Sequence, residues 1–222
     1  ADLGHGMQQR LKVAALAGAS IEGARMHLAV REEALNQVSQ WLAVAGVNSQ
    51  DVIIGFQAGA SSGGRRWPVA NFIALARELL SLRPAYRVVI LGAPHERTRC
   101  EDIARGIQNQ SGAIALVAAG ALSIDMLPAL DTGTLHVAVA VGTPTVSLFT
   151  VSSPAVSGPA YDLEKHEVIH YPAPVGIRSK TDNDRWMAQI PSEVVANAVW
   201  HQLNRLPQHA AMQRDNTPQR TS

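Results

Sequence analysis

A chain of 222 residues makes one large or two small globular domains, and its 46% hydrophobic content supports a sizeable core and excludes wholesale disorder. A formal net charge of +1 gives no case for a nucleic-acid or strongly acidic partner. The single cysteine, Cys100, excludes an internal disulfide and a thiolate zinc cluster, as befits a reducing compartment.

No apolar run approaches the roughly 20 residues that cross a bilayer, and the opening ADLGHGMQQRLK lacks the apolar middle of a signal peptide, so a cytoplasmic chain is expected. Residues 1–28 carry a short helix in MQQRLKVAALAG and a connector in ASIEGAR. Over Glu32–Ala45 the positions Leu35, Val38, Trp41, Leu42 and Ala45 line one helical face, and Gly46 ends it. Asp51–Phe56, with VIIGF at its centre, reads as a buried strand running into the polar turn Gly59–Arg66. Pro68 suits the first position of a helix striped by Val69, Phe72, Ile73, Ala76, Leu79 and Leu80, with Pro84 at its end. Arg87–Leu91 is a second strand, Glu96–Gln108 a helix, Ala113–Val117 a third strand, and Ser123–Leu130 a helix capped by Ser123. Residues 150–190 are Pro-rich and show no periodicity. Ser192–Leu206 is an amphipathic helix along Val195, Val199 and Leu203, and residues 207–222 form a polar, disordered tail.

Each strand is a continuous apolar run, and strands alternate with helices. That pattern predicts a parallel sheet covered on both faces, a doubly wound, Rossmann-like α/β domain over residues 29–206. Ligands of such sheets bind beyond the carboxyl ends of the strands, here the loops 57–66, 92–96, 118–122 and 151–159.

Three of these regions carry chemistry. Asp131–Phe149, DTGTLHVAVAVGTPTVSLF, reads as a turn, a helix over Thr134–Val141, a second turn, and a strand over Thr145–Phe149. Gly142 stops the helix in a left-handed conformation and Pro144 prevents its continuation. Unpaired N–H groups at the helix start, backed by the helix dipole, face Asp131, Thr132 and Gly133; they suit a phosphate or a sugar hydroxyl, and an ordinary N-cap has the same spacing. His136, in the first turn, is a packing residue or a functional one beside Asp131. The turn GASSGGRRW combines small residues with Arg65 and Arg66, whose guanidinium groups can fork onto phosphate oxygens or simply face solvent. Glu96 is either a helix-start carboxylate or an acceptor for ligand hydroxyls. P-loop and dinucleotide fingerprints are absent. Gly59-Ser61-Gly63 also matches the serine-hydrolase pattern, with Asp131 and His136 following, but a nucleophile elbow turns directly into its helix and this loop does not. His166 and His170 lack a further ligand for a metal, so no metal site is expected. Cys100 reads as a packed thiol.

At these residues the chain resembles the carboxyl-terminal, donor-binding half of the lipopolysaccharide heptosyltransferases, glycosyltransferase family 9 of the GT-B fold. IGFQAGASSGGRRWPVANFIALARELL, VVILGAPHE and DTGTLHVAVAVGTPTVSLF carry the resemblance, which runs in order from about residue 51 to 206. It implies an ADP-activated heptose donor, a lipopolysaccharide-core acceptor, and an inverting, metal-independent transfer without a cofactor; peripheral contact with the inner membrane would go with it. By the same resemblance Ser61 and Arg65 belong to a phosphate loop. Glu96 is a carboxylate near the donor, Met126 lies by the nucleotide, and Asp131, Thr132, Gly133 and His136 hold the diphosphate and sugar. Arg65, Asp131 and His136 are then the residues expected to act at the reacting centre.

Three departures qualify the likeness. The family's amino-terminal acceptor domain, which carries its general base, has no counterpart, so residues 1–28 are a linker or its remnant, and the chain should bind donor and transfer poorly. Leu148-Phe149-Thr150-Val151-Ser152 replaces the family's LFGPT. Leu130 meets Asp131 where the family has a helix end and a strand of roughly ten residues, so the numbering closes over an omitted segment or the chain carries a deletion. A nucleotide- or phosphate-binding module without catalysis remains the alternative, with the Ser61 hydrolase behind it.

Overall fold

The structure is a computed structural model that describes residues 4–60, 62–83, 85–111, 115–117, 133–174, 176 and 185–205. The expected helix Ser123–Leu130, its Leu130–Asp131 junction, Pro84 and the tail 207–222 lie outside the described residues.

Two helices open the chain: α1 (Gly6–Leu16) and α2 (Glu32–Val44). Then β1 (Val52–Gln57), α3 (Val69–Leu82), β2 (Tyr86–Leu91), α4 (Arg97–Ser111) and β3 (Ala115–Val117) alternate. β1 pairs in parallel with β2 from Val52↔Tyr86 to Gln57↔Leu91, and β2 with β3 from Val88↔Ala115 to Ile90↔Val117. α5 (Gly133–Ala140) leads into β4 (Thr145–Phe149). The short α6 (Pro154–Ser157), β5 (His166–His170) and α7 (Ser192–Arg205) follow. β4 and β5 are also parallel, in register from Thr145↔His166 to Phe149↔His170. Among the described residues the strands therefore form a sheet of order β1-β2-β3 and a second, β4-β5.

Parallel strands need crossovers, and right-handed crossovers in one direction place successive helices on one face. α3 and α4 accordingly pack on each other and on β2, and α7 packs against α3, β4 and β5. The core lies beneath them. Phe56, Val88 and Ile90 meet Phe72, Leu79 and Ile103, and the same cluster reaches Ile169 of β5 and Val195 and Leu203 of α7. One apolar body thus joins both sheets.

Several expectations need correction. β5 was not predicted, because HEVIH has histidines at both ends and looked irregular. The apolar face expected for α2 is borne out in part: Val38, Trp41, Leu42 and Ala45 are half-buried, but Leu35 is 55% exposed and Ala34 is the buried residue of that helix. β1, at the end of the order β1-β2-β3 among the described strands, is buried on one face only, with Ile53 46% exposed. α5, though apolar all round, is half-buried apart from Val139. Pro68 caps α3 rather than occupying its first turn.

Candidate functional site

The loop after β1 is tightly built. Ala58 N donates to Leu91 O at 3.0 Å, extending the β1–β2 pairing one step past the strand. A 3-10 turn over Gly63–Arg65 follows, closed by Arg66 N to Gly63 O at 2.9 Å, before α3 begins at Val69. Ala58, Ala60, Gly64 and Trp67 are buried, so the small residues of GASSGG pack the loop onto the sheet. Arg66 Nε donates back to Ala60 O at 3.0 Å and so braces the turn. The Arg65 guanidinium is half-buried, and burial pushes its pKa below the usual arginine value. It stays charged at neutral pH, and a partly desolvated cation gains most from an anion beside it.

Glu96 stands beyond β2 at the same edge. It is buried, and its Oε2 accepts from Ala93 N at 2.9 Å across the 3-10 turn Pro94–Glu96. Its carboxylate also lies against Gly59: a Cβ there would fall 1.8 Å from Oε2. Both readings of Glu96 meet here. It closes its own turn, and it sits where the β1 and β2 loops touch.

Gly133 is the first residue of α5. The helix ends in a Schellman arrangement, with Thr143 N to Ala138 O at 2.9 Å, Gly142 N to Val139 O at 3.2 Å, and Gly142 at φ 75°. After this tight reversal β4 packs back along α5. Eight helical residues rise about 12 Å and five strand residues about 16 Å, so the two packed elements are of similar length. Just past β4, Thr150 is buried and donates its hydroxyl to Gly64 O at 3.3 Å. Thr150, which departs from LFGPT, thus ties the Arg65 turn to the carboxyl end of β4, the strand that follows α5.

His136 faces α1. Its ring meets that of His5 edge-on, with centroids 6.4 Å apart at 85°. His5 in turn caps α1, accepting from Met7 N at 3.2 Å, and sits 2.9 Å from Gly158 O through Nε2. Burial first, then His5 and Arg10, lower the His136 pKa, so the ring is neutral at physiological pH. Its buried Nδ1 has no hydrogen-bond partner among the described residues.

Ser61, Met126, Asp131 and Thr132 lie outside the described residues. His5 and Arg99 are not among the residues the sequence singles out, and Thr150 stands out there only as a departure from LFGPT. Arg99 could be noticed as a cation one turn after Glu96; His5 gives no local signal.

The sequence model of glycosyltransferase family 9 (heptosyltransferase) matches residues 5–185, through α1, the Arg65 loop, Glu96 and α5. The chain belongs to glycosyltransferase family 9. The match takes in α1 and α2, upstream of where the resemblance had been traced. Lipopolysaccharide heptosyltransferase 2 of Escherichia coli K12 is 29% identical over 124 residues, covering 51% of this chain and 35% of that protein. The family 9 glycosyltransferase of Veillonella parvula superposes with a TM-score of 0.71 at 20% identity, over 91% of this chain and 61% of that one. The E. coli ADP-heptose lipopolysaccharide heptosyltransferase II gives 0.63 at 24% identity, over 80% and 53%. These neighbours establish a GT-B-type α/β fold with parallel sheets. The chain spans about a third of the length of the curated relatives it matches. No helix of the described residues is long and apolar enough to cross a membrane. Family membership leaves the serine-hydrolase reading without support, and the ten residues between β1 and Pro68 are no nucleophile elbow.

Proposed function

We propose that this family 9 chain is the donor-binding half of a heptosyltransferase. It holds an ADP-activated heptose whose sugar passes, with inversion and without a metal, to a lipopolysaccharide-core acceptor. One observation supports this reading: the Thr150 hydroxyl bonds to Gly64 O and so joins the Arg65 turn to the end of β4, the strand that follows α5, within a chain matched by the family across all three. The names of the E. coli relatives support the donor and acceptor classes.

The chemistry follows from charge. As the bond from the anomeric carbon to the diphosphate breaks, negative charge builds on ADP. A guanidinium and helix N–H donors fixed where that charge appears stabilise the transition state more than the ground state. Arg65 supplies the first and Gly133, at the head of α5, begins the second. Asp131, Thr132 and His136 complete the sugar and diphosphate contacts in this reading, Ser61 joins Arg65, and Glu96 and Met126 lie toward the nucleoside. The acceptor hydroxyl attacks opposite the departing diphosphate, and its general base belongs to the acceptor-side domain. The alternative reading is a nucleotide-binding module that transfers nothing by itself, since the same fold hosts binding without catalysis.

Titration calorimetry with ADP, UDP and GDP tests the site, with ADP expected to bind most tightly; equal affinities or none would overturn the donor assignment. Adding an acceptor-side domain and ADP-heptose then separates the two readings: transfer supports the enzyme, and ADP binding without transfer the module.

A further inference from the structure

We infer that Arg99 is a positioning residue for the Arg65 loop, acting from the first turn of α4. Its Nε donates to Ala58 O at 2.8 Å, and its Nη2 donates to Trp67 O. Ala58 and Trp67 are the two ends of the segment that carries Arg65. A single planar guanidinium therefore bridges the entry and exit of the loop, 41 and 32 residues away in sequence. The fork geometry matters: two N–H groups in one plane fix both carbonyls relative to each other, which an ammonium cannot do.

The surroundings make this bridge stiff. Ala58 is 1% exposed and Trp67 2%, so neither carbonyl can turn freely to water. Trp67 is anchored beyond the loop, its Nε1 donating to Ile190 O at 3.0 Å. Glu96, one turn before Arg99, presses its carboxylate against Gly59. The start of α4 thus clamps the loop by an apposed carboxylate at Gly59 and a guanidinium at Ala58 and Trp67. Neither contact needs a ligand, so the loop is shaped before the diphosphate arrives, and the ordering cost of binding is reduced.

The inference rests on the donor-binding reading only for its consequence, so two readouts are needed on the full chain. The first is hydrogen exchange without ligand. Arg99→Met should raise exchange in the peptide spanning Ala58–Trp67, Arg99→Lys should restore part of the protection, and the exposed neighbour Arg97→Met should change nothing there. Unchanged protection in Arg99→Met would overturn the clamp. The second is calorimetry with ADP and adenosine. Loss of charge-assisted hydrogen bonds that hold a phosphate-binding cation should weaken ADP by about tenfold and leave adenosine unaffected. In an Arg65→Ala background the same change should have little further effect, because the two act through one loop. Equal losses for ADP and adenosine, or a full additive loss beside Arg65→Ala, would show a general structural role and overturn the positioning one. Should wild-type protein bind no ADP while the exchange result holds, the donor reading fails and the clamp stands. Arg99→Lys serves where Arg99→Met does not fold.

Discussion

Gly59 shows how a single missing side chain can shape this edge. A methyl group there would fall 1.8 Å from Glu96 Oε2 and 1.9 Å from its carboxyl carbon. Glu96 is buried and already bonded to Ala93 N, so its carboxylate cannot move without giving up that bond. Gly59→Ala should therefore destabilise the protein by about 1–3 kcal/mol, the usual range for overpacking or an unmade buried hydrogen bond. Glu96→Ala/Gly59→Ala should cost less than the sum of the single changes, since truncating Glu96 makes the room. Urea unfolding of the four proteins checks this, and strict additivity would contradict the contact. His166 gives the residue scale its pH dependence. It is 6% exposed, its Nδ1 lies 2.9 Å from Thr145 Oγ1, and burial holds its pKa below the ordinary 6.5 despite Asp162 and Glu164. A histidine depressed in the folded state binds its proton more readily when unfolded. Its contribution is whole above about pH 6.5 and is lost as pH falls through the folded value. Unfolding free energy should thus drop between pH 7.5 and 5, and His166→Gln, which cannot charge, should flatten part of that slope. His136, shifted the same way, supplies part of the remainder. An identical slope in the variant would remove His166 from the account.

Elements were readable where their signal was local. β1 and β2 announce themselves as unbroken apolar runs, and α3 as a stripe whose Phe72, Ala76 and Leu79 are indeed buried. Gly142 was readable for the same reason: an apolar helix followed by Gly-Thr-Pro needs a left-handed stop, and φ is 75°. Among the described residues no heavy atom beyond the chain neighbours lies within 4 Å of the Cβ position there, so a substitution meets strain and no clash from them. Gly142→Val should therefore cost about 1–2 kcal/mol from backbone conformation alone, and Gly142→Asn clearly less. Thermal melts that ranked valine and asparagine alike would sink that explanation. β5 and the shallow burial of α2 were not readable, because partners distant in sequence decide them. β5 exists by pairing with β4, and the stripe on α2 is only half-covered. The candidate site divides likewise. Arg65, Glu96 and Gly133 sit in motifs, whereas Arg99 and Thr150 matter through carbonyls 32 to 86 residues away, which no spacing rule exposes.

Across the whole molecule, burial is uneven in a way that sets what opens first. β1 through β3, α3, α4, β5 and α7 contribute to one apolar cluster. α1 has no buried residue and α2 only Ala34, while Val13, Leu16, Leu35 and Val44 are all exposed, Leu16 and Val44 at 90%. The amino-terminal segment is fastened instead by polar contacts to the region around α6. His5 Nε2 meets Gly158 O, Tyr161 Oη donates to Met26 O at 3.0 Å, and Arg25 pairs with Asp162 while stacking over Tyr161 at 4.3 Å. Arg25 is 53% exposed at its side chain, so solvent screens the ion pair and its contribution is small. Local opening free energy follows buried apolar area, so α1 and α2 should exchange amide hydrogens well before α3, α4 and α7. Arg25→Ala/Tyr161→Phe should speed exchange across residues 5–28 and leave α3 and α7 unchanged, because the shared core is untouched. If α1 and α2 instead exchanged together with α3 in the wild-type protein, they would belong to the same cooperative unit, and fastening by a few polar contacts would be the wrong account of how the amino-terminal segment is held.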